Sequence, residues 1–236
     1  MDIQKLYSYT RKAVNDYSMI KDGDRVVAAV SGGKDSLALL YALSGLKRIM
    51  NDSFELYAMT VDVGYNVSYD EITKLCREFN IEYDVVRTDI KKILDAHDKG
   101  KAYCSLCARL RRGVFKEYME EKGFNKLAYG HNKDDVIETS LMSLFYEGWF
   151  HCFAPVNVLD EYTVIRPLVY VDERSLAGFA KKYNLPVVKN DCPYDDNSKR
   201  SETKGLIKEL SKENKFLKKN IFHGTTKLPE WKKTDG

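Results

Sequence analysis

The feature that most limits the fold of this 236-residue chain is a glycine-containing loop between an apolar run and a helical pattern. Residues 25–30 (RVVAAV) are apolar and rich in β-branched side chains, as expected for a strand that is buried on both faces. The loop SGGKDS spans residues 31–36, and residues 36–49 return to helical spacing. A strand, a tight loop and a helix in this order indicate an open α/β sheet, in which ligands bind beyond the carboxyl ends of the strands.

The chemistry of this loop is suited to an anion. Gly32 and Gly33 allow a sharp turn and a close approach of the backbone to a ligand. Ser31 and Ser36 add hydroxyl donors, Lys34 adds a positive charge, and the start of the helix adds N–H groups. The pattern is neither a Walker loop nor G-x-G-x-x-G. An ordinary turn capped by serine would not call for six specified residues in this context, so we expect a phosphate-binding loop.

The rest of the chain continues the alternation of strands and helices. Further strands are expected near residues 54–61, 82–87, 126–129 and 162–165, and helices near 2–19, 69–80, 106–122, 133–146 and 172–183. This order predicts an α/β fold, an open, mostly parallel, Rossmann-like sheet with helices on both faces. We expect an N-terminal helix in residues 1–22, an α/β domain that carries the phosphate-binding loop in 23–198 and a basic helical appendage in 199–236.

The charge distribution is uneven although the formal net charge is only +3. Residues 199–233 carry eleven basic and four acidic side chains, and the remainder of the chain is mildly acidic. A basic tail on an acidic body suggests a polyanionic partner, although a solvated lysine-rich helix would have the same composition.

Compartment is indicated by what the sequence lacks. Its apolar runs fall short of the ~18 residues that suggest a membrane span, and its first residues do not resemble a secretory signal. Five cysteines are too few for a disulfide framework. We therefore expect a soluble cytoplasmic protein with no membrane partner.

Two cysteines are spaced to share a metal. Cys104 and Cys107 form a Cys-x-x-Cys pair in a loop that leads into a helix, and the basic residues Arg109, Arg111 and Arg112 follow. Two thiolates do not complete a tetrahedral site, so further ligands must come from Cys76, Cys152 or Cys192. Cys76 is at a core-like helical position, Cys152 fits either packing or a site, and Cys192 is in a loop after the last strand. From the residues alone, zinc ranks first, and a redox pair without metal is the alternative.

A second strand-end loop, GHNKDD, spans residues 130–135 and should face the same crevice as SGGKDS. Paired carboxylates at Asp134 and Asp135 can hold Mg²⁺ beside a triphosphate, or they can cap the following helix. His131 could donate a hydrogen bond to a phosphate. Asp62, at the end of the second strand, is a weaker candidate for a nucleotide contact, since a turn-forming aspartate is equally plausible there.

The first loop resembles the pyrophosphate loop of the N-type ATP pyrophosphatases. The resemblance implies that ATP and Mg²⁺ are bound there, with the pyrophosphate held by Ser31, Gly32, Gly33, Lys34, Asp35 and Ser36. Such loops serve amidations as well as thiolations, so the loop identifies the cofactor better than the substrate.

Three further segments narrow the resemblance. CSLCARLRRG, AYGHNKDDVIETSLMSLFYEG and IRPLVYVDERSLAGFAKKYNLPVV, taken with SGGKDS, resemble the tRNA 2-thiocytidine synthetases over most of residues 20–210. The resemblance implies a [4Fe–4S] cluster on Cys104, Cys107 and Cys192. It also implies roles in ATP binding and activation for Lys34 and Asp35 of the first loop and for Gly130, His131 and Asp135 of the second. Asp62 stays a weaker candidate, because family patterns vary at that position. One departure is Lys189, where relatives commonly carry another cysteine: ligation by three cysteines survives this change, whereas a persulfide relay through the missing cysteine does not.

The implied reaction is adenylation of a pyrimidine carbonyl, expected at cytidine C2, followed by replacement of oxygen with sulfur. The implied partners are tRNA, a sulfur donor such as a cysteine desulfurase, and a second copy of the chain in a homodimer. We expect RNA contacts from Arg109, Arg111, Arg112, Lys199 and Arg200. Two alternatives stay open: a related sulfur-transfer enzyme acting on a small molecule or another nucleotide, and a nucleotide-binding redox or metal sensor.

Overall fold

Strands and helices alternate through the body of the chain in the computed structural model, which describes residues 1–50, 53–97, 103–188, 192 and 199–233. The strands in these ranges are β1 Arg25–Ala29, β2 Glu55–Asp62, β3 Glu82–Arg87, β4 Lys126–Ala128, β5 Val156–Val158 and β6 Thr163–Ile165. The helices are α1 Ile3–Asp16, α2 Lys34–Ile49, α3 Asp70–Glu78, α4 Ile90–His97, α5 Tyr103–Lys122, α6 Lys133–Glu147, α7 Glu173–Lys182, α8 Lys199–Glu213 and α9 Leu217–Thr225, with a final 3₁₀ turn at Pro229–Trp231.

The strands form one sheet in the order β3-β2-β1-β4-β6-β5. Every pairing is parallel except that of β5 with β6. β1 lies between β2 and β4, with Val26 in register with Leu56 on one side and Lys126 on the other. The loops after β1 and β4 therefore leave neighbouring strands at the same edge, as the sequence predicts.

Both faces of the sheet are covered. Along β1, Val26 and Ala28 join a core with α1, α2 and α7, while Val27 and Ala29 join a second core with α4 and α5. This alternation explains why the strand is apolar throughout instead of alternating with polar residues. The predicted open, mostly parallel sheet with helices on both faces is confirmed.

Four local features differ from the sequence prediction. α1 ends at Asp16, earlier than expected, and α4 and β5 are additional. The eight residues of α4 and the three of β5 are too short for periodicity to reveal. The prediction of a loop around Cys104 and Cys107 is wrong, because α5 already begins at Tyr103 and includes both cysteines.

Lys189 lies outside the described residues. Within the described ranges, no helix combines the length and hydrophobicity that crossing a bilayer requires.

The C-terminal helices are packed on the body of the protein. α8 and α9 both contact α6. Beyond them, Trp231 is 1% exposed, and its indole N–H donates to Phe153 O at 3.1 Å. Its ring meets those of Tyr17 and Phe222 edge-on, with centroids 6.0 and 5.8 Å away. The end of the chain is thereby joined to the end of α1.

This packing predicts unequal effects for the two tryptophans. Trp231→Ala should lower the free energy of unfolding by about 3–5 kcal/mol, because it leaves a cavity and an unpaired carbonyl. Trp149 is 62% exposed, so Trp149→Ala should change stability by less than about 0.5 kcal/mol. Urea titration followed by circular dichroism measures both. Equal losses would contradict the buried position of Trp231.

Candidate active site

The loop after β1 is organised by its two serines. The Ser31 N–H donates to Ser36 Oγ at 3.1 Å, and Ser36 Oγ donates to Gly33 O at 2.9 Å. Gly32 has φ +85°, in the left-handed region that favours glycine. Gly33 is the N-cap of α2 and provides no side-chain cap, so N–H groups of the first helical turn remain for a ligand.

The loop after β4 lies directly against this first loop. A Cβ placed on Gly130 would be 3.0 Å from the carbonyl carbon and oxygen of Asp35 and 3.1 Å from Ser36 N. Only a residue without a side chain permits this approach. The contact brings the GHNKDD segment beside the phosphate-binding loop, as the strand order requires.

Two carboxylates meet where these loops touch. Asp35 Oδ2 accepts from Lys34 Nζ at 3.1 Å and from Asn132 Nδ2 at 3.4 Å, whereas Asp35 Oδ1 is buried with no hydrogen-bond partner among the described residues. Burial raises the pKa of Asp35, with a further contribution from Asp135 that Lys34 opposes. Burial likewise raises the pKa of Asp135. An orphaned oxygen and two carboxyls with a raised pKa fit a hard divalent cation that completes its shell with phosphate oxygens.

The adjacent carboxylate, Asp134, has a different function in the fold. Its Oδ2 accepts from the N–H of Glu173 at 2.7 Å, at the start of α7, and its Oδ1 contacts Lys218 Nζ at 2.5 Å. The N-cap of α6 is Asn132, whose amide oxygen accepts from Asp134 N and Asp135 N. Asp135 closes the capping box by accepting from Asn132 N at 2.8 Å. Capping therefore applies to both aspartates, on two different helices.

Cations of the C-terminal helices reach the same carboxylates. Glu173 lies between Lys34 Nζ, at 3.2 Å, and Lys204 Nζ, at 2.6 Å. Arg200 contacts Asp135 at 3.4 Å and Glu138 at 3.7 Å. Burial raises the pKa of Glu138 to about 7, and Arg200 opposes that rise. α8 thus balances the charge of carboxylates beside the two predicted nucleotide loops and also presents an exposed basic surface.

A cleft of about 500 Å³ opens beside the two loops. One wall is the strand-end edge of the sheet and the other is α5. The residues that line it are Ala29, Ser31, Asp35, Ser36, Ala108, Arg111, Arg112, Phe115, Tyr129, Gly130, His131, Asp135 and Arg166. The cleft thus combines the predicted nucleotide loops with the helix that carries the Cys-x-x-Cys pair.

The cysteines of α5 precede the part of the helix that lines the cleft. Burial raises the pKa of the Cys107 thiol, Arg111 opposes this, and the charges of Cys192 and Cys104 raise it further. Tyr65 Oη donates toward Cys192 Sγ at 4.0 Å and is 2.8 Å from Tyr103 Oη, next to Cys104. The three predicted ligands therefore influence one another electrostatically.

The donor chemistry fits a thiophilic cofactor, because a bound cation would stabilise the thiolate of Cys107 beside the other two cysteines. In the described ranges, no three His, Cys, Asp or Glu side chains already form a metal site. Cys76 and Cys152 are buried, and burial raises the pKa of each thiol to about 12. Cys152 Sγ donates to Val136 O at 3.5 Å. Of the two alternatives for Cys152, packing or a site, this contact favours packing.

The arginines of α5 differ in position. Arg111 and Arg112 line the cleft, whereas Arg109 is exposed outside it. Arg111 lies one helical turn after Cys107, and its Nε is buried with no hydrogen-bond partner among the described residues. Arg111 therefore places a positive charge between the thiols and the nucleotide loops.

The remaining predicted residues lie away from the cleft lining. Asp62 Oδ1 accepts from Gly64 N at 2.9 Å, so it forms the turn after β2. Lys199 is exposed, with Nζ 4.3 Å from the ring centre of Tyr146. Their roles toward nucleotide and RNA stay predictions, as does that of Arg200.

Sequence reasoning missed Arg166, Glu173 and Glu138. Arg166 follows β6 and donates from Nε to Nδ1 of His131 at 3.2 Å. The rule that located the two loops, polar residues at strand ends, could have located Arg166 in the apolar run TVIRPLV. No comparable signal marks the two glutamates, because their partners are distant in the sequence: Arg200 and Lys204 on α8, and Lys34 on α2.

Comparison with known proteins agrees with this arrangement. Residues 4–209 match the family described as the PP-loop domain. The tRNA-cytidine(32) 2-sulfurtransferase of Geobacter sulfurreducens is 42% identical over 225 residues, covering 93% of this chain and 88% of the relative. The enzyme of the same name from Coxiella burnetii is 38% identical over 230 residues, covering 95% and 90%.

Solved structures show the same fold. The U34-tRNA thiolase NcsA from Methanococcus maripaludis, described with its [4Fe–4S] cluster, superposes with a TM-score of 0.74 at 26% identity, covering 94% of this chain and 76% of that one. The NH3-dependent NAD synthetase from Campylobacter jejuni superposes with a TM-score of 0.52 at 18% identity, covering 100% and 98%. The second likeness concerns the fold alone.

The contact between the two loops predicts a specific effect of one methyl group. Gly130→Ala should weaken binding of a non-hydrolysable ATP analogue about 10-fold or more, because overpacking against backbone costs about 1–3 kcal/mol and separates the loops. Isothermal titration calorimetry measures the affinity. Gly113→Ala on α5 is the matched control, since its Cβ would meet nothing within 4 Å. Equal affinity of Gly130→Ala and the unaltered protein would contradict the described contact.

Proposed function

We propose that this chain, which belongs to the PP-loop family and to its tRNA-cytidine 2-sulfurtransferases, uses ATP to replace the C2 oxygen of cytidine 32 in tRNA with sulfur. The observation that carries the proposal is the shared cleft, lined on one side by Ser31, Ser36 and His131 and on the other by the helix of Cys104 and Cys107. Activation and sulfur insertion act on one carbon atom, so both sets of groups must reach it.

The first half of the reaction is adenylation. A pyrimidine carbonyl oxygen is a poor leaving group and must be activated before it can be replaced. It attacks the α-phosphate of ATP, and pyrophosphate is released. The loop of residues 31–36 and the start of α2 would hold the departing pyrophosphate, with Lys34 neutralising its charge. Asp35 and Asp135 would hold the accompanying Mg²⁺.

The second half is attack of a sulfur nucleophile on C2, with loss of AMP. The balance is one ATP, one cytidine and one sulfide giving one thiocytidine, AMP and pyrophosphate. Cys104, Cys107 and Cys192 would hold the [4Fe–4S] cluster, which, when bound, supplies a Lewis-acidic iron for the sulfur atom. Arg111, one turn from Cys107, would stabilise the negative charge of the reacting groups.

Access of the base and supply of sulfur complete the proposal. A base must leave its stack to enter such a cleft, which an unpaired tRNA loop permits. The exposed lysines of α8 and α9, with Lys199, Arg109 and Arg112, would contact phosphates. We include in the proposal a sulfur donor such as a cysteine desulfurase, a cytoplasmic location and a homodimer.

Removal of the loop lysine tests the adenylation step. Lys34→Ala should lower AMP formation in the presence of tRNA by about 100- to 1,000-fold, because one charged donor to the leaving group is lost. Nucleoside mass spectrometry of the same tRNA should show a matching loss of 2-thiocytidine. Lys47→Ala, at the exposed far end of α2, is the control and should retain both. Undiminished AMP formation by Lys34→Ala would refute the assigned role of the loop.

Removal of single thiols tests the ligand set. Cys104→Ser, Cys107→Ser and Cys192→Ser should each weaken the broad visible absorption of anaerobically purified protein, because each removes a thiolate ligand. Cys76→Ala should keep the spectrum, since that thiol is buried in the core. An unchanged spectrum for Cys192→Ser would remove this residue from the set. A colourless unaltered protein that binds zinc would replace the cluster by the metal that the residues alone favour.

A further inference from the structure

Arg166 lies in the cleft beside His131 and donates a hydrogen bond to its ring. It follows β6, and β6 pairs in parallel with β4, so Arg166 and His131 leave the sheet at the same edge. Both residues line the cleft. Neither the resemblance nor the loop motifs gave Arg166 a role.

The guanidinium of Arg166 is held firmly. The residue is 9% exposed, Nη1 donates to Ala154 O at 2.6 Å, and the group lies 4.8 Å from the ring centre of Phe153. Its hydrogen-bond partners among the described residues are a carbonyl and an imidazole, with no carboxylate. The orientation of this nearly buried arginine is therefore set by these hydrogen bonds and by the Phe153 ring, and not by an ion pair.

The contact with His131 determines where that ring carries its proton. Arg166 Nε donates to His131 Nδ1 at 3.2 Å, and a guanidinium has no acceptor atom. Nδ1 must therefore present its lone pair, so a neutral ring carries its proton on Nε2. Phe153 holds the ring from one face, with centroids 4.9 Å apart.

The electrical surroundings keep this ring neutral. Burial lowers the pKa of His131 to about 3, and the charges of Arg166 and Arg200 contribute. Tyr129 also faces the ring, with centroids 5.5 Å apart. The other titratable groups that line the same cleft are Asp35 on α2, Arg111 and Arg112 on α5 and Asp135 on α6.

We propose that Arg166 is a positioning residue that holds His131 as the Nε2–H tautomer, so that His131 donates a hydrogen bond to a phosphate oxygen of the nucleotide and cannot act as a general base. Neither ring nitrogen is then free to accept a proton from the substrate, since Nδ1 accepts from Arg166 and Nε2 bears hydrogen. A neutral donor stabilises charge that develops on the phosphate without moving a proton. This role rests on the proposed adenylation in the same cleft.

The tautomer is measured directly by ¹⁵N–¹H correlation spectra of histidine side chains, with His131→Gln used to assign the signal. The unaltered protein should show the Nε2–H pattern, unchanged from pH 5.5 to 8.5. Arg166→Met should give a mixture of the two neutral tautomers, because the ring stays buried but loses the donor at Nδ1, while Arg166→Lys, which can still donate, should keep the Nε2–H form. An Nδ1–H or doubly protonated His131 in the unaltered protein at pH 7 would overturn the inference.

Turnover separates a donor from a base. A glutamine amide reproduces the Nε2 donor and an asparagine amide does not reach its position, so His131→Gln should retain far more kcat for AMP formation than His131→Asn or His131→Leu. The last two should lose about 100-fold in kcat. Arg166→Met should lose less, in proportion to the fraction of rings that carry the proton on Nδ1. Equal losses for Gln and Leu at matched unfolding midpoints would indicate a base and contradict the proposal. A correct tautomer in a protein that forms no AMP would refute the proposed function alone.

Discussion

The close approach of two strand-end loops is the constraint on which the site depends. β1 and β4 are parallel neighbours, so their following loops meet at one edge, and the absence of a side chain at Gly130 lets the second loop touch the backbone of Asp35 and Ser36. This contact places the turn that is predicted to bind an anion beside two partly buried carboxylates. Helix α5 covers the same edge and brings Arg111 to the other wall of the cleft, with Cys107 one helical turn before it.

Charge balance links the C-terminal helices to this arrangement. Lys204, Arg200 and Lys218 each contact a carboxylate that lies at or next to the nucleotide loops. Ion pairs at an open surface contribute little to stability, but these pairs involve partly or fully buried carboxylates whose charge must be compensated. The basic segment therefore balances the charge of the proposed ATP site, and its remaining exposed cations are the ones proposed to contact RNA.

Features set by the local sequence could be predicted, whereas contacts between segments far apart in the sequence could not. The two loops could be located because each follows a strand, and the sheet edge then brings Ser31 and Gly130 together. Arg166 also follows a strand, but β6 has only three residues, so the strand end that would single it out is weakly marked in the sequence. The ion pairs of Arg200 with Asp135 and Glu138 could not be predicted either, since they depend on how α8 packs against α6. Composition revealed the basic tail but not which of its cations are already engaged.

The most direct test of the account is an anaerobic crystal structure of the chain with a non-hydrolysable ATP analogue. The account predicts that the triphosphate lies on residues 31–36, that its metal lies between Asp35 and Asp135, and that the thiols of Cys104, Cys107 and Cys192 converge at the mouth of the same cleft. A nucleotide bound elsewhere, or thiols on a different face of the molecule from the triphosphate, would contradict it.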